Sequence, residues 1–310
     1  MVGKFIAGPI SRYAVFIVAA LLGLGTGMPA KAGDATDALG RQVEVSGSAS
    51  RIITLGSDVT EIVYALGAGE RVVAVDRGSH FPSDTSTKEN VGYRRQLSAE
   101  NLIGLHPDLI LAAEDIGPIE TVDILLGLNI PIVFVPEDNS IEGIERKITL
   151  VSTVLDRQQE GRDLAKTVRA NSEEAVALSA SIPEAKRKKV VFFHGLVRLS
   201  AAGAGTAADA IIKLAGGVNP MDEVQGYQAA SEERLVEMAP DVILMMSNAN
   251  GGPTHEEVFS NRALSASPAA QTGSLVVLDG AYMIGFGPRT ADAIRDLAHA
   301  LYGETLTPSD

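Results

Sequence analysis

Tyr93 stands in the string Gly92-Tyr93-Arg94-Arg95, where two guanidinium groups adjoin a phenol in a chain with only 26 Lys and Arg against 39 Asp and Glu. A tyrosine ionises near pH 10, so it becomes a metal ligand only where cations or the metal itself favour the phenolate. The phenolate is a hard anionic donor suited to ferric iron, including the iron of a haem. His194 follows the apolar run Val190–Phe193 and precedes Gly195. Strand carboxyl ends are where open α/β sheets present ligands, so His194 is either a second donor or a polar cap at a sheet edge. Tyr227 and Arg289 belong to loops of the second half, and Arg198 lies just beyond His194. A guanidinium pairs a carboxylate bidentately. Arg198 and Arg289 are therefore candidates to hold a ligand's acid groups, with a salt bridge at the start of the last helix as the other role for Arg289.

The elements that must position these groups alternate along the chain. Arg51–Leu55, Arg71–Val75, Leu109–Ala112 and Ile132–Val135 read as strands, with helices over Asp58–Leu66 and Ile119–Leu128. A second set comprises strands at Val190–Phe193, Val242–Met246 and Leu275–Leu278, with helices over Thr206–Leu214 and Thr290–Leu301. This rhythm predicts parallel sheets covered by helices. Between the sets, 140–180 has apolar positions at helical spacing. It is expected to form two helices, the second over Gln158–Ala180 and about 35 Å long. Ser98–Leu111 aligns without a gap on Ser231–Leu244, with seven of fourteen positions identical. In both copies a Ser can cap a helix, an early Glu favours its dipole, and Pro-Asp turns the chain into a strand. The predicted fold is α/β: two similar Rossmann-like lobes with parallel sheets, joined by a single long helix, with the ligand cleft between them. The expected boundaries are 1–32 for a secretion leader, 33–157 for the first lobe, 158–182 for the linking helix and 183–310 for the second lobe.

Composition removes several classes. The net charge of −13 argues against nucleic acid as a partner. The absence of cysteine excludes disulfides, thiolate metal sites, thiol nucleophiles and a lipid anchor on an N-terminal Cys. Lys4 and Arg12 precede an uncharged run from Tyr13 to Met28, too short for a membrane span of about 20 residues. Ala30-Lys31-Ala32 then has the small residues of a cleavage site, so an exported, periplasmic protein without stable membrane insertion is expected. No Gly-x-Ser-x-Gly elbow, His-Glu-x-x-His or P-loop lysine favours an exported enzyme. Gly203–Thr206 is better read as a glycine-bent entry to a Thr-capped helix than as a phosphate loop.

From Arg51 to Leu301 the chain resembles the haemin-binding periplasmic proteins that feed ABC-type haem importers. The resemblance rests on Gly92–Glu100, Pro107–Leu111, Ala202–Ala210, Leu214–Asn219, Gly226-Tyr227 and Gly285–Thr290. The Gly92–Glu100 string and Gly285-Phe286-Gly287-Pro288-Arg289 are its most specific parts, whereas Pro107–Leu111 is shared with siderophore and cobalamin binders. It implies a binding protein, not an enzyme, whose transported ligand is ferric haem b. Tyr93 matches the axial iron ligand, and Arg95 matches the arginine that supports its phenolate. Arg94 then faces solvent or a haem propionate, and Arg289 and Arg198 are further propionate candidates. His194 matches a position that in some members ligates iron, and Tyr227 a cleft residue. Glu100 and Glu233, one per lobe, are the expected docking contacts for an inner-membrane ABC permease dimer, with the binding protein acting as a monomer. Ferric siderophore or cobalamin is the alternative cargo within the class.

Overall fold

A computed structural model of the chain describes residues 33–46, 48–128, 130–247, 251–303 and 306. The predicted leader and its cleavage site lie outside the described residues. A hairpin of β1 (Gly33–Thr36) and β2 (Gln42–Val45) opens the chain. The first lobe continues with β3 (Ile52–Leu55), α1 (Ser57–Ala65), β4 (Val72–Val75), β5 (Glu89–Asn90), α2 (Ala99–Gly104), β6 (Leu109–Ala113), α3 (Ile119–Leu126), β7 (Ile132–Val135) and α4 (Ile141–Val154). The long helix α5 (Gln158–Ala180) has the predicted bounds. Beyond it come β8 (Val190–Phe193), β9 (Ser200–Ala202), α6 (Ala207–Leu214), β10 (Tyr227–Ala229), α7 (Glu232–Met238) and β11 (Val242–Ser247). Then follow α8 (His255–Phe259), α9 (Pro268–Thr272), β12 (Leu275–Asp279), α10 (Gly280–Ile284) and α11 (Thr290–Tyr302).

The two lobes share a five-stranded plan. The first sheet runs β5-β4-β3-β6-β7 and is parallel throughout. The second runs β10-β9-β8-β11-β12, and only β8, β11 and β12 are parallel. There the expectation of a parallel sheet needs correction. β9 lies antiparallel to β8 because the link from Phe193 to Ser200 is too short for the crossover that a parallel pair requires, and β10 pairs antiparallel with β9 at the sheet edge.

The sequence repeat has a structural counterpart in each copy. Ser98 and Ser231 cap α2 and α7 by accepting a backbone N–H three residues on. His106 and Ala239, equivalent in the repeat, both take positive φ, at 48° and 41°. The aspartate after each proline ties its strand to the neighbouring central one. Asp108 accepts the Arg51 N–H at 2.8 Å beside β3, and Asp241 accepts the Lys189 N–H at 2.8 Å beside β8.

Alternation within the strands supplies two apolar faces per sheet. Ile53, Ile110 and Phe134 face one layer, and Ile52, Leu109 and Val133 the other. That second layer continues through Val151 of α4, Val168 and Ala175 of α5 and Leu297 of α11 to Val190, Phe192 and Leu244 of the second sheet. A single apolar core thus spans both lobes beside α5. Fully burying an aliphatic side chain contributes roughly 1.5–3 kcal/mol, so separating the lobes would expose a costly surface.

Candidate functional site

A cleft of about 810 Å³ opens between the lobes. Most of its first-lobe wall comes from beyond the carboxyl ends of strands: Ser57 and Asp58 after β3, Asp76 and Arg77 after β4, Tyr93 to Gln96 after β5, and Glu137 after β7, with Lys147 of α4 beside them. The second lobe contributes His194 after β8, Ser247 at the end of β11, and Gly280 and Ala281 after β12. This is the placement expected of a ligand site on open α/β sheets.

Tyr93 is 54% exposed at the mouth. Its loop turns at Gly92, whose φ of +89° favours glycine. The Gly92 carbonyl accepts the Arg77 N–H at 2.8 Å, joining this loop to the one after β4. The Arg77 guanidinium lies 4.8 Å from the centre of the Tyr93 ring. Arg77 is a cleft cation that reading the sequence missed, because it stands sixteen positions from Tyr93 with no motif between them.

The adjacent arginines are otherwise engaged. Arg94 bonds Asp115 at 2.8 Å and Glu137 at 3.0 Å, and Arg95 pairs with the same Asp115 oxygen. Burial works against the charge on Arg94, but Asp115 more than offsets it and its pKa is raised. Burial also raises Glu137, with Asp115 adding to the effect.

Across the cleft, Tyr227 stands on β10 with its ring edge-on to His194, centroids 6.1 Å apart. Burial raises the Tyr227 phenol, and the charge of Arg95 pulls it down by less, so at neutral pH Tyr227 is a neutral hydrogen-bonding group. The His194 side chain is exposed and its backbone N–H donates to Ser200 at 3.0 Å. Thr206 caps α6 by accepting the Asp209 N–H at 3.1 Å, and this helix start also lines the cleft.

The structure therefore gathers Tyr93, Arg94, Arg95, His194 and Tyr227 at one cleft, and Arg198 and Arg289 are not among its lining residues. Arg198 is exposed on the link between β8 and β9. Arg289 takes the salt bridge at the head of α11: its Nε donates to Glu61 Oε2 at 3.0 Å and its Nη2 to the other oxygen. Glu61 belongs to α1, so this fork joins the lobes. Beside it, Lys147 Nζ donates to Asp58 at 2.6 Å and to the Phe286 carbonyl at 3.2 Å. Gly287 packs against α1: a Cβ there would lie 3.4 Å from the Asp58 Cα, in van der Waals contact. The Gly285–Arg289 string thus meets the cleft only at Gly285 and, beyond it, locks one lobe against the other. A further bond between lobes joins His80 Nε2 to Asp279 Oδ2 at 2.9 Å. Glu100 and Glu233 are exposed in the first turns of α2 and α7.

Two α/β lobes, a linking helix that buries one face, and a cleft lined from the ends of strands define a substrate-binding protein of the periplasmic type. The chain belongs to the periplasmic binding protein family, which it matches over residues 52–282. Among solved structures, the periplasmic heme-binding protein RhuT from Roseiflexus sp. RS-1, in apo form, is 32% identical with a TM-score of 0.77, the match covering 82% of this chain and 98% of that one. The periplasmic heme-binding protein BhuT, in complex with two hemes, is 31% identical with a TM-score of 0.76, covering 83% and 99%. Among curated relatives, the vitamin B12-binding protein of Vibrio parahaemolyticus serotype O3:K6 is 26% identical over 248 residues, 79% of this chain and 86% of that protein. No helix among the described residues is long and apolar enough to cross a membrane.

Proposed function

We propose that this protein is exported, loses its leader after Ala32, and works in the periplasm. There it captures ferric haem b between its lobes and delivers it to an inner-membrane ABC permease. The observation that carries the reading is Tyr93: an exposed phenol at the mouth of an inter-lobe cleft, with a guanidinium over its ring. Two relatives of the same architecture whose names state heme binding, each about a third identical, support it.

The chemistry follows from the donor set. Tyr93 as phenolate binds ferric iron, and an anionic oxygen donor favours Fe(III) over Fe(II). His194 and Tyr227 face it from the second lobe, His194 as a second iron donor and Tyr227 as a hydrogen-bonding wall. Arg94 and Arg95, paired with Asp115 and Glu137, are the guanidinium groups that propionates would meet at the mouth. The bonds that join the lobes belong to the scaffold, so capture involves no chemical step and the protein acts as a binder.

Titration with ferric haem is the direct test. The wild-type protein is expected to give a Soret band with a tyrosinate-to-iron charge-transfer feature. Tyr93→Phe should lose that feature and bind at least about tenfold more weakly, a difference of about 1.4 kcal/mol. Cobalamin, suggested by the vitamin B12-binding relatives, is the competing cargo. An unchanged spectrum in Tyr93→Phe, or displacement of haem by equimolar cobalamin, would refute the haem reading.

Docking is assigned to the two repeat-related glutamates. Hydrogen bonds at the start of α7, from its backbone and from Ser231, hold Glu233 below its ordinary pKa, so it is charged throughout the neutral range. Glu100→Lys combined with Glu233→Lys is expected to leave haem affinity unchanged and to abolish stimulation of the permease ATPase.

A further inference from the structure

The cleft has two unlike ends. One is ionic: Arg94 bonds Asp115 and Glu137, Arg95 pairs with Asp115, and the charges of Arg95 and Glu137 reach Tyr227, whose ring stands edge-on to His194. The other lies where β11 meets α10, and its second-lobe lining is Met246, Ala281 and Ile284 with Gly280 and Gly285. In the sheet order β10-β9-β8-β11-β12, Tyr227 and His194 stand towards one edge and this apolar lining towards the other. Among the described residues that line the cleft, the second lobe supplies no Asp, Glu, Lys or Arg. The apolar end is built before any ligand arrives. Met246 and Ile284 are half-buried and pack on the core that spans both lobes. Gly280 lets α10 close on β11, because a Cβ there would sit 3.0 Å from the Met246 sulfur. Asp279 fixes the turn into α10: one carboxylate oxygen accepts the Tyr282 N–H at 2.9 Å, and the other is bonded to His80 of the first lobe at 2.9 Å.

We infer that Met246 and Ile284 form the seat for the vinyl-bearing edge of ferric protoporphyrin, and so fix which way round the ligand lies in the cleft. The inference rests on the haem reading and extends it from an iron ligand to an orientation. The ligand is amphiphilic, with two propionates on one side of the macrocycle and two vinyl groups on the other. A carboxylate turned towards Met246 and Ile284 would lose water without gaining a cation. A vinyl edge turned towards Arg94 and Arg95 would strip water from charged groups and replace it with nothing that bonds them. The opposite placement satisfies both ends: propionates meet the guanidinium groups, and vinyl groups cover apolar surface that water otherwise wets. The seat also separates cargoes. Cobalamin carries amide groups around its ring, and against Met246 and Ile284 those amides would be buried without hydrogen-bond partners.

The test compares two ferric porphyrins that share the iron and both propionates: protoporphyrin, with vinyl groups, and haematoporphyrin, with hydroxyethyl groups in their place. Wild type should prefer ferric protoporphyrin by at least about tenfold, since an apolar seat leaves the added hydroxyls without partners. Met246→Gln combined with Ile284→Thr keeps the size of both side chains but offers hydrogen bonds. It should shrink the preference to about twofold or less, with the tyrosinate charge-transfer band still present. Ile284→Thr alone should move the ratio part of the way, so the outcome does not depend on the doubly substituted protein folding. Equal affinity of wild type for the two porphyrins, or a preference that these substitutions leave unchanged, would overturn the inference. A wild-type protein that binds neither porphyrin would instead overturn the haem reading, and the seat with it.

Discussion

At the mouth of the cleft Tyr93 is 54% exposed and Arg77 has no carboxylate partner among the described residues, whereas deeper in the cleft the Lys147 side chain is 1% exposed and bonded twice. Both regions combine cations with oxygen donors, yet they carry opposite obligations. Deeper in, charge lies away from water and must be matched within the protein, since breaking a buried pair leaves an ion stranded. At the mouth, water matches it until a ligand arrives. The residues that face a ligand are thus those the fold leaves incompletely partnered. The comparison also reassigns Arg289: its fork, suited to a propionate by chemistry alone, is filled by Glu61.

The sharpest way to break this contrast is Lys147→Met, which strands Asp58 against the second lobe. It is expected to destabilise the protein by about 3–5 kcal/mol in denaturant unfolding. His194→Ala at the mouth should stay within about 0.5 kcal/mol of wild type. Comparable losses at both sites would erase the distinction.

Arg289→Met should have the next largest effect. It removes the bidentate partner of a buried glutamate and uncovers the faces of Phe81 and Tyr282, over which the guanidinium lies at 3.8 Å and 4.9 Å. Loss of such a charged hydrogen bond costs about 1.5–3 kcal/mol, read as a lower unfolding midpoint. Because Glu61 takes its proton more readily once the arginine is gone, the deficit should shrink in acid.

The smallest effect is in the pH profile. Burial raises the Glu61 pKa above its ordinary 4.5, against the pull of Arg289. The folded state therefore binds the proton more tightly than the unfolded one. The stability linked to this group is complete below about pH 4.5 and declines as pH rises towards the raised folded value. Glu61→Gln should flatten that part of the curve, while a slope unchanged by the substitution would assign it to other groups.

The chain's local grammar determined most of its elements. Ile132–Val135, Gln158–Ala180 and Val190–Phe193 fall at their predicted bounds because apolar period, caps and prolines act within a few residues. Ser98 and Ser231 cap as read, and Pro-Asp tethers a strand in each lobe, since these bonds span short, repeated stretches. The antiparallel β9 and β10 were not legible: three-residue strands are too short to display a period. Tyr93 was visible in its string, but the partners of the site were not. Arg289 and Glu61 are 228 positions apart, and Lys147 and Asp58 are 89 apart. Such pairs form because two sheets and α5 bring loop ends together, and no pattern local to either residue encodes its partner. Only tertiary structure decided which arginines were spent on carboxylates and which remained free, because a charge's role depends on what lies within a few ångströms of it.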